Sequence, residues 1–431
     1  MSEIKSPFTT FNQAVEYLYT RLPLFQNQGP SAYKPDLGNI RVLLSALGDP
    51  HVGIRYVHVG GTNGKGSSSH MLAAILQSAG YKTGLYTSPH LKSFTERIRV
   101  NGVPIPEQDV VELLSASLDT IDSIQPSFFE VTTTMAFQYF QRRKVDVAVI
   151  EVGLGGRLDA TNIITPVVSL ITNIGHDHLD LLGPGLEQVA FEKAGIIKKK
   201  VPVVISERQQ DLEKVFIAKA QNENAELIFA SDHLEVSEEE DRWVFPYEGK
   251  KIMVQPQLRG SYQKKNIAGV VRVVEILRKK GFVVSDEALI AGIENTSLLT
   301  GLKGRWQVLQ LNPKVICDTG HNPEGIQQIL EQLSREQYRQ LHWVFGVVGD
   351  KPAEKVLKLL PSTAKYYFCA ARIPRAMPAE RLSTEAASLG LKGEAYADVQ
   401  TALVAARKSA SADDLILVGG STYVVAEVEG L

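Results

Sequence analysis

The run Tyr56-Val57-His58-Val59-Gly60-Gly61-Thr62-Asn63-Gly64-Lys65-Gly66-Ser67 decides how the rest of the chain is read. An apolar, β-prone stretch enters it. A glycine-rich turn and one lysine follow, and Met71, Leu72, Ile75, Leu76 and Ala79 leave it at helical spacing. Strand, glycine loop and helix in that order make a cradle for a polyphosphate: the bent backbone turns several N–H groups inward, and the helix N-terminus adds positive potential. Lys65 stands where an ammonium offsets β- and γ-phosphate charge. The run departs from the common pattern, G-x-x-x-x-G-K followed by Ser or Thr, at two places. Val59 takes the first glycine position, and Gly66 follows the lysine with Ser67 one residue late. The hydroxyl that usually meets the metal is thus absent from its place, and another residue would have to supply that contact. The competing reading is a tight βα turn without a ligand.

A chain of 431 residues exceeds one ordinary core, so two or three domains are expected. Hydrophobic content of 44% with 22% charged residues is that of a globular protein. A net charge of −2 argues against bulk nucleic-acid or anionic-membrane binding. Cys317 and Cys369 are too few for a disulfide scaffold, and the first seven residues lack the apolar core of a signal peptide, so a cytoplasmic location is expected. No apolar run approaches the length of a membrane span. No exposed apolar helix face stands out, so a monomer is expected.

Helices are expected over residues 10–27 and 37–47, the first broken at Gly29-Pro30-Ser31. Beyond the phosphate loop, strands are expected at 82–87, 145–152, 167–174 and 201–205, with a short extended piece at 97–102. Helices are expected at 107–124, 128–142 and 186–197. The near-continuous apolar run from Val145 to Val152 is the mark of a buried parallel strand. Alternation of strand and helix predicts a mostly parallel sheet with helices on both faces. Residues 225–258 break the rhythm with short β-like pieces, including Leu227-Ile228-Phe229 and Leu234-Glu235-Val236, and suggest an antiparallel flap. Helices return at 264–279 and 286–295. The alternation then restarts beyond a linker at 297–304, dividing the chain into an ATP-binding domain at 1–296 and a smaller Rossmann-like α/β domain at 305–431.

In open α/β sheets ligands gather at the carboxyl ends of strands. Four such ends carry candidates: the phosphate loop, Ser88, Glu151 and His178. A hydroxyl, a carboxylate and an imidazole beside a triphosphate could hold a divalent metal. Glu151 closes an apolar strand, where a carboxylate needs a partner. Lys193 falls on the stripe of Leu186, Val189, Ala190, Ala194 and Ile197. A buried ammonium is costly. It snorkels out, pairs with an acid, or loses its proton and takes up carbon dioxide as an anionic, metal-binding carbamate. Later in the chain, Asp318 and His321 follow a strand and precede the helix start Asn322-Pro323, and Gly304-Arg305 lies just past the linker.

These pieces resemble the folylpolyglutamate synthase and dihydrofolate synthase family of the Mur ligase superfamily over nearly the whole chain. The motifs are Gly61 to Ser67, Thr87-Ser88-Pro89-His90, the run from Glu151 through Gly155-Gly156-Arg157-Leu158-Asp159 to Asn162, and His176-Asp177-His178. Further on come Phe191 to Ile197, Gly304-Arg305, Asp318 to Pro323, and Gly419-Gly420-Ser421-Thr422-Tyr423. In that family a glycine after the lysine is normal. The resemblance implies an ATP-dependent amide ligase that adds L-glutamate to dihydropteroate or tetrahydrofolate. It implies that Gly61, Thr62, Asn63, Gly64, Lys65, Gly66 and Ser67 cradle ATP, with Lys65, Lys193 and His178 as the catalytic group. It assigns two magnesium ions to Ser88, Glu151, His178 and a carbamylated Lys193. Asn266 and Arg305 would meet ATP phosphates, Asp318 the ribose, and His321 the nucleoside. Asp159 would touch the pterin, and Arg157-Leu158-Asp159 looks like the bifunctional type.

The chemistry would be attack of a substrate carboxylate on the ATP γ-phosphate, then of the glutamate amine on the acyl phosphate. Two rival readings are a Mur-type ligase acting on a cell-wall precursor and a non-enzymatic P-loop ATP switch. The first is disfavoured by Lys65-Gly66-Ser67 and by the lack of an added N-terminal UDP-binding domain.

Overall fold

The structure, a computed structural model, describes residues 7–23, 36–349 and 353–431. The chain divides into two compact units. The first comprises Met1–Gln257 with Gln263–Gly301, and the second Leu258–Tyr262 with Leu302–Leu431.

In the first unit, β1 (Arg55–Gly60), β2 (Thr83–Tyr86), β3 (Ile98–Val100), β4 (Val103–Pro104), β5 (Val147–Glu151), β6 (Val168–Ile171), β7 (Val203–Ile205) and β8 (Leu227–Phe229) form one sheet. Its order is β4-β3-β2-β5-β1-β6-β7-β8. The pairs from β2 to β8 are parallel, and only β3 and β4 at one edge run antiparallel. Register sets Val59 of β1 beside Glu151 of β5 and beside Leu170 of β6. The carboxyl ends of β2, β5, β1 and β6 therefore line up as neighbours.

β5 is buried along its whole length, and β1 is buried except at Arg55, as their apolar runs demand. Ala14 and Leu18 from helix Phe11–Arg21, Leu43 and Leu44 from Gly38–Ala46, Leu114 from Glu107–Ile124 and Phe137 from Phe128–Arg143 share one core with Tyr56, Tyr86, Ala148 and Ile150. A second core joins Val189 of helix Leu186–Ala194 and Phe216 of Glu213–Glu223 to Ile171, Val203 and Ile205. The helix Phe128–Arg143 starts on a reciprocal cap between Ser127 and Glu130, a device worth about 1 kcal/mol.

Several elements depart from the sequence expectation. Leu227–Phe229 does not join a flap; it follows helix Glu213–Glu223 and pairs parallel with β7, completing a strand–helix–strand unit. Leu234 to Val236 is not a strand. The antiparallel sheet is instead β9 (Ser237–Glu239), β10 (Arg242–Tyr247) and β11 (Lys250–Val254). Glu240 and Asp241, at φ 48° and 63°, close the hairpin between β9 and β10, a turn that matches strand twist. The expected helix at 10–27 ends at Arg21, and residues 24–27 and the break at 29–31 lie outside the described residues. The segment expected as linker begins as helix Thr296–Thr300 in the first unit, and Gly301 at φ 69° caps it.

The second unit is built on β12 (Gln307–Leu311), β13 (Lys314–Cys317), β14 (Leu341–Phe345), β15 (Lys365–Cys369), β16 (Lys392–Tyr396) and β17 (Leu415–Gly419). Their order is β12-β13-β17-β14-β15-β16, antiparallel only at β12. β16 leaves little trace in the sequence: Lys392-Gly393-Glu394 carries no apolar alternation because this edge strand is mostly exposed. The core is aromatic. Trp343, fully buried, stacks on Tyr366 at 6.1 Å, and Tyr366 stacks on Phe368 at 5.5 Å. Replacing Trp343 with Ala should cost about 3–5 kcal/mol, read as a fall in the urea midpoint with the m-value retained.

Candidate active site

β1 delivers the glycine-rich loop that the sequence reads as a phosphate loop. The loop is not free-standing, because β6 and the residues after it hold it. The Thr62 N–H donates to the Asn173 carbonyl at 2.8 Å, and the Asn63 N–H to Asn173 Oδ1 at 2.9 Å. Thr172 Oγ1 donates to the Asn63 carbonyl at 2.6 Å. Gly64 ends the loop at φ 87°, and a β-carbon there would stand 2.2 Å from Asn266 Oδ1, so both backbone and space require glycine. The helix Lys65–Ser78 begins with Gly64 as its N-cap and has no side-chain cap, which leaves the donors of its first turn for an anion.

Two ammonium groups meet at one carbonyl. Lys65 Nζ donates to Gly61 O at 3.1 Å and to Thr62 O at 3.0 Å. Lys193 Nζ donates to the same Gly61 O at 2.8 Å. Lys193 is 5% exposed, so the stripe it occupies is a buried one. Burial first, and the Lys65 charge second, push its amine down to about 7, against the opposing pull of Asp177 and Asp159.

Glu151 is buried at the end of β5, and the Ser88 N–H donates to its Oε2 at 3.2 Å. The contact is made by the Ser88 backbone, and it brings the ends of β2 and β5 together. His178 precedes helix Leu179–Leu182 in a left-handed conformation, φ 52°, with Nε2 3.7 Å from Asp177 Oδ2. Among the described residues no three His, Cys, Asp or Glu side chains form a metal cluster. Ser88, Glu151 and His178 follow or close β2, β5 and β6, whereas Lys193 comes from helix Leu186–Ala194.

The loop 153–162 lies against the lysine helix backbone to backbone. The Arg157 N–H donates to the Glu192 carbonyl at 2.7 Å, and Asn162 Nδ2 donates to the carbonyls of Arg157 and Gly195 at 3.0 and 3.1 Å. A β-carbon on Gly195 would stand 2.4 Å from the Arg157 Cα, so only glycine permits the approach. The Arg157 guanidinium, half-exposed, donates through Nε and Nη2 to Glu192 Oε1 at 3.1 and 2.8 Å, and lies over the Phe191 ring. Asp159 is buried and ties its own loop: Oδ2 accepts from the Leu154 N–H at 2.8 Å, and Oδ1 from the Thr161 N–H and hydroxyl. His58 Nε2 stands 2.9 Å from the same Thr161 Oγ1. Because that hydroxyl donates to Asp159, His58 is the donor. Burial pushes its imidazole down to about 3, so it stays neutral.

In the second unit, Asp318 Oδ2 accepts from the Tyr262 hydroxyl at 2.9 Å and the Trp306 N–H at 2.8 Å, and Oδ1 from the Gly320 N–H at 2.8 Å. Burial raises its carboxyl above the usual range, and the Arg305 charge opposes that. Arg305 Nη1 donates to the Gly304 carbonyl at 3.1 Å and to Thr319 Oγ1. His321 Nδ1 donates to the Thr319 carbonyl at 3.0 Å, and Asn322 caps helix Pro323–Leu333.

Sequence reasoning missed His58, Thr161, Thr172, Asn173 and Gln263. The one available signal was Gln263 standing three residues before Asn266, on the same helix face.

Lys193 makes stability pH-dependent with a definite sign. Below about pH 7 its amine is protonated in both states, and the burial cost is constant. Above that value and up to the ordinary lysine pKa of 10.5 the native state holds fewer protons than the unfolded one, so stability rises with pH. Urea unfolding between pH 6 and 9 should show this rise in the parent chain and its absence in Lys193→Met.

The middle-domain model of the Mur ligases matches residues 59–274, and the Mur ligase glutamate ligase domain matches residues 304–422. The dihydrofolate synthase/folylpolyglutamate synthase of Bacillus subtilis (strain 168) is 33% identical over 98% of this chain and 99% of its own length. Escherichia coli FolC, solved in complex with DHPP and ADP, superposes at a TM-score of 0.86 with 30% identity, over 97% of this chain and 96% of that one. A bifunctional folylpolyglutamate synthase/dihydrofolate synthase solved with Mn, AMPPNP and L-glutamate bound superposes at 0.84 with 28% identity, over 98% of both chains. With motif order, fold and relatives agreeing along the whole length, this chain belongs to the folylpolyglutamate synthase/dihydrofolate synthase family of the Mur ligases.

Proposed function

We propose that the protein is an ATP-dependent carboxylate–amine ligase that joins L-glutamate to dihydropteroate and to tetrahydrofolate through an acyl phosphate. The observation that carries this reading is the pair of ammonium groups, Lys65 and the buried Lys193, on the Gly61 carbonyl at the mouth of an uncapped helix. Such a site takes in negative charge, and the reaction brings two anions together.

The acceptor carboxylate attacks the γ-phosphorus of ATP, and ADP leaves. The amine of L-glutamate then attacks the acyl carbon, loses a proton, and inorganic phosphate departs with the C–O electron pair, leaving an amide. Lys65 offsets the charge of the transferring phosphoryl group, and the loop N–H groups orient it. Ser88 and Glu151, with His178, provide the oxygen-rich donor set that suits magnesium, and a carbamate on Lys193 would add an anionic oxygen. When bound there, two such ions would lower the repulsion between carboxylate and phosphate. An amine poised near pH 7 is neutral often enough to attack carbon dioxide, releasing one proton as the carbamate forms.

Thr62, Asn63, Gly64, Gly66 and Ser67 belong to the phosphate cradle, with Asn266 and Arg305 on phosphates. Three donors already face Asp318, yet Oδ1 retains a lone pair for a ribose hydroxyl. His321 lies two residues beyond its carbonyl partner Thr319, near the nucleoside on this reading. Asp159 meets the pterin, and Arg157 stands at the substrate loop as part of the bifunctional signature. The near-neutral charge speaks against nucleic-acid and anionic-membrane partners, the two cysteines fit a cytoplasmic location, the sequence offers no exposed apolar helix face to favour an oligomer over a monomer, and no helix among the described residues is long and apolar enough to cross a membrane.

Phosphate release should require ATP, magnesium, L-glutamate and a pterin acceptor together. Release with both dihydropteroate and tetrahydrofolate, each gaining the mass of one glutamate, is the expected result. Release with tetrahydrofolate alone would remove the bifunctional reading, and acceptor-independent release would restore the ATP switch. In the same assay Lys193→Ala should abolish turnover while Lys200→Ala, changed in a surface loop, leaves it intact; near-normal turnover in Lys193→Ala would remove the carbamate role.

A further inference from the structure

We propose that Gln263 is a positioning residue, which reads the Ser67 hydroxyl and thereby sets the Asn266 amide over the phosphate loop. The inference rests on the reading of Asn266 as a phosphate contact.

Gln263 opens the helix Gln263–Lys279 and is fully buried. A buried primary amide must place both of its ends. Gln263 Nε2 donates to Ser67 Oγ at 3.0 Å, and its Oε1 accepts from Asn266 Nδ2 at 2.7 Å. Asn266 lies one turn further on the same face, 6% exposed, with its Oδ1 at Gly64. The three side chains therefore form one string from the start of helix Lys65–Ser78 to the end of the phosphate loop.

The string has a polarity. Asn266 Nδ2 can only donate, so the facing atom of Gln263 is its oxygen, and the other end of Gln263 is a donor that makes Ser67 Oγ the acceptor. Turning either amide alone sets two donors or two acceptors face to face in a buried place. Gln263 thus removes the rotational freedom of Asn266 before any nucleotide arrives, a saving that appears as affinity. It also accounts for Ser67. Standing one residue later than the metal-binding hydroxyl of an ordinary phosphate loop, this side chain is committed to Gln263 and serves the loop as a strut.

The test is titration calorimetry of magnesium-ATP into the full chain, with KM for ATP and for L-glutamate measured in parallel. Gln263→Met keeps the bulk and loses both hydrogen bonds. It should weaken ATP binding about tenfold, the worth of one well-placed hydrogen bond, and raise KM for ATP but not for L-glutamate. Asn266→Ala should weaken binding at least as much. The double variant should fall within about twofold of Asn266→Ala alone, because Gln263 acts through Asn266. Multiplying effects, or ATP binding unchanged in Gln263→Met beside a lowered melting temperature, would overturn the proposal and leave Gln263 a packing residue. If Asn266→Ala itself leaves ATP binding unchanged, the phosphate reading of Asn266 fails and takes this inference with it. If Asn266→Ala weakens binding and Gln263→Met does not, only this inference fails. Should Gln263→Met not fold, Gln263→Glu retains the acceptor for Asn266 and loses the donor to Ser67; the same cycle applies, and additivity with Asn266→Ala overturns it equally.

Discussion

One carbonyl oxygen, that of Gly61, accepts from two ammonium groups, and the chemistry of the first unit turns on that shared acceptor. Like charges brought so close repel; two at 4 Å cost about 4 kcal/mol at an effective dielectric near 20. Burial adds to the cost at Lys193. The fold relieves this in the one way open to it, by letting Lys193 give up its proton near neutral pH. Any anion drawn into the loop relieves it further. The proposed phosphate at Lys65 and carbamate at Lys193 would be two answers to the same electrostatic question.

Holding Lys193 in place requires a second constraint, the contact between its helix and the loop after β5. Gly195 lets the Arg157 backbone come within bonding reach, Asn162 spans both segments with one amide, and Glu192 holds the Arg157 guanidinium. The loop is stiffened from within by Asp159 and from below by His58, which lies on β1 just before the phosphate loop. β1 and the loop after β5 are therefore linked through buried hydrogen bonds, from the His58 imidazole through the Thr161 hydroxyl to Asp159. A charged relay would be costlier there, and the imidazole, kept neutral by burial, avoids that cost.

Much of this was open to reading from the residues. β1 and β5 announce themselves as apolar runs, because a strand covered on both sides cannot alternate. Helical period put Lys193 on an apolar stripe, and the structure shows that it stays buried there rather than reaching solvent. The polar ends of strands named Ser88, Glu151 and His178. Where the covering was one-sided the pattern failed. β16 lies at an edge and carries no apolar signal. β8 read as part of a flap because three residues cannot tell a parallel strand from a hairpin arm. Nor could the sequence show that Leu258–Tyr262 belongs with the second unit, since five residues carry no period of their own.

The sequence by itself determined the covered strands, the glycine bends and the chemical inventory: where the chain turns, which lysine sits on an apolar stripe, and which polar residues follow the strands. These depend on neighbours a few residues away, and their spacing is visible in one dimension. Tertiary structure alone decided the partners. Gln263 meets Ser67 across 196 positions, Lys193 meets Gly61 across 132, and Asp159 reaches His58 through a single hydroxyl. A hydrogen bond is specified by distance and angle in space, and no spacing along the chain encodes which buried polar group a long-range neighbour will satisfy.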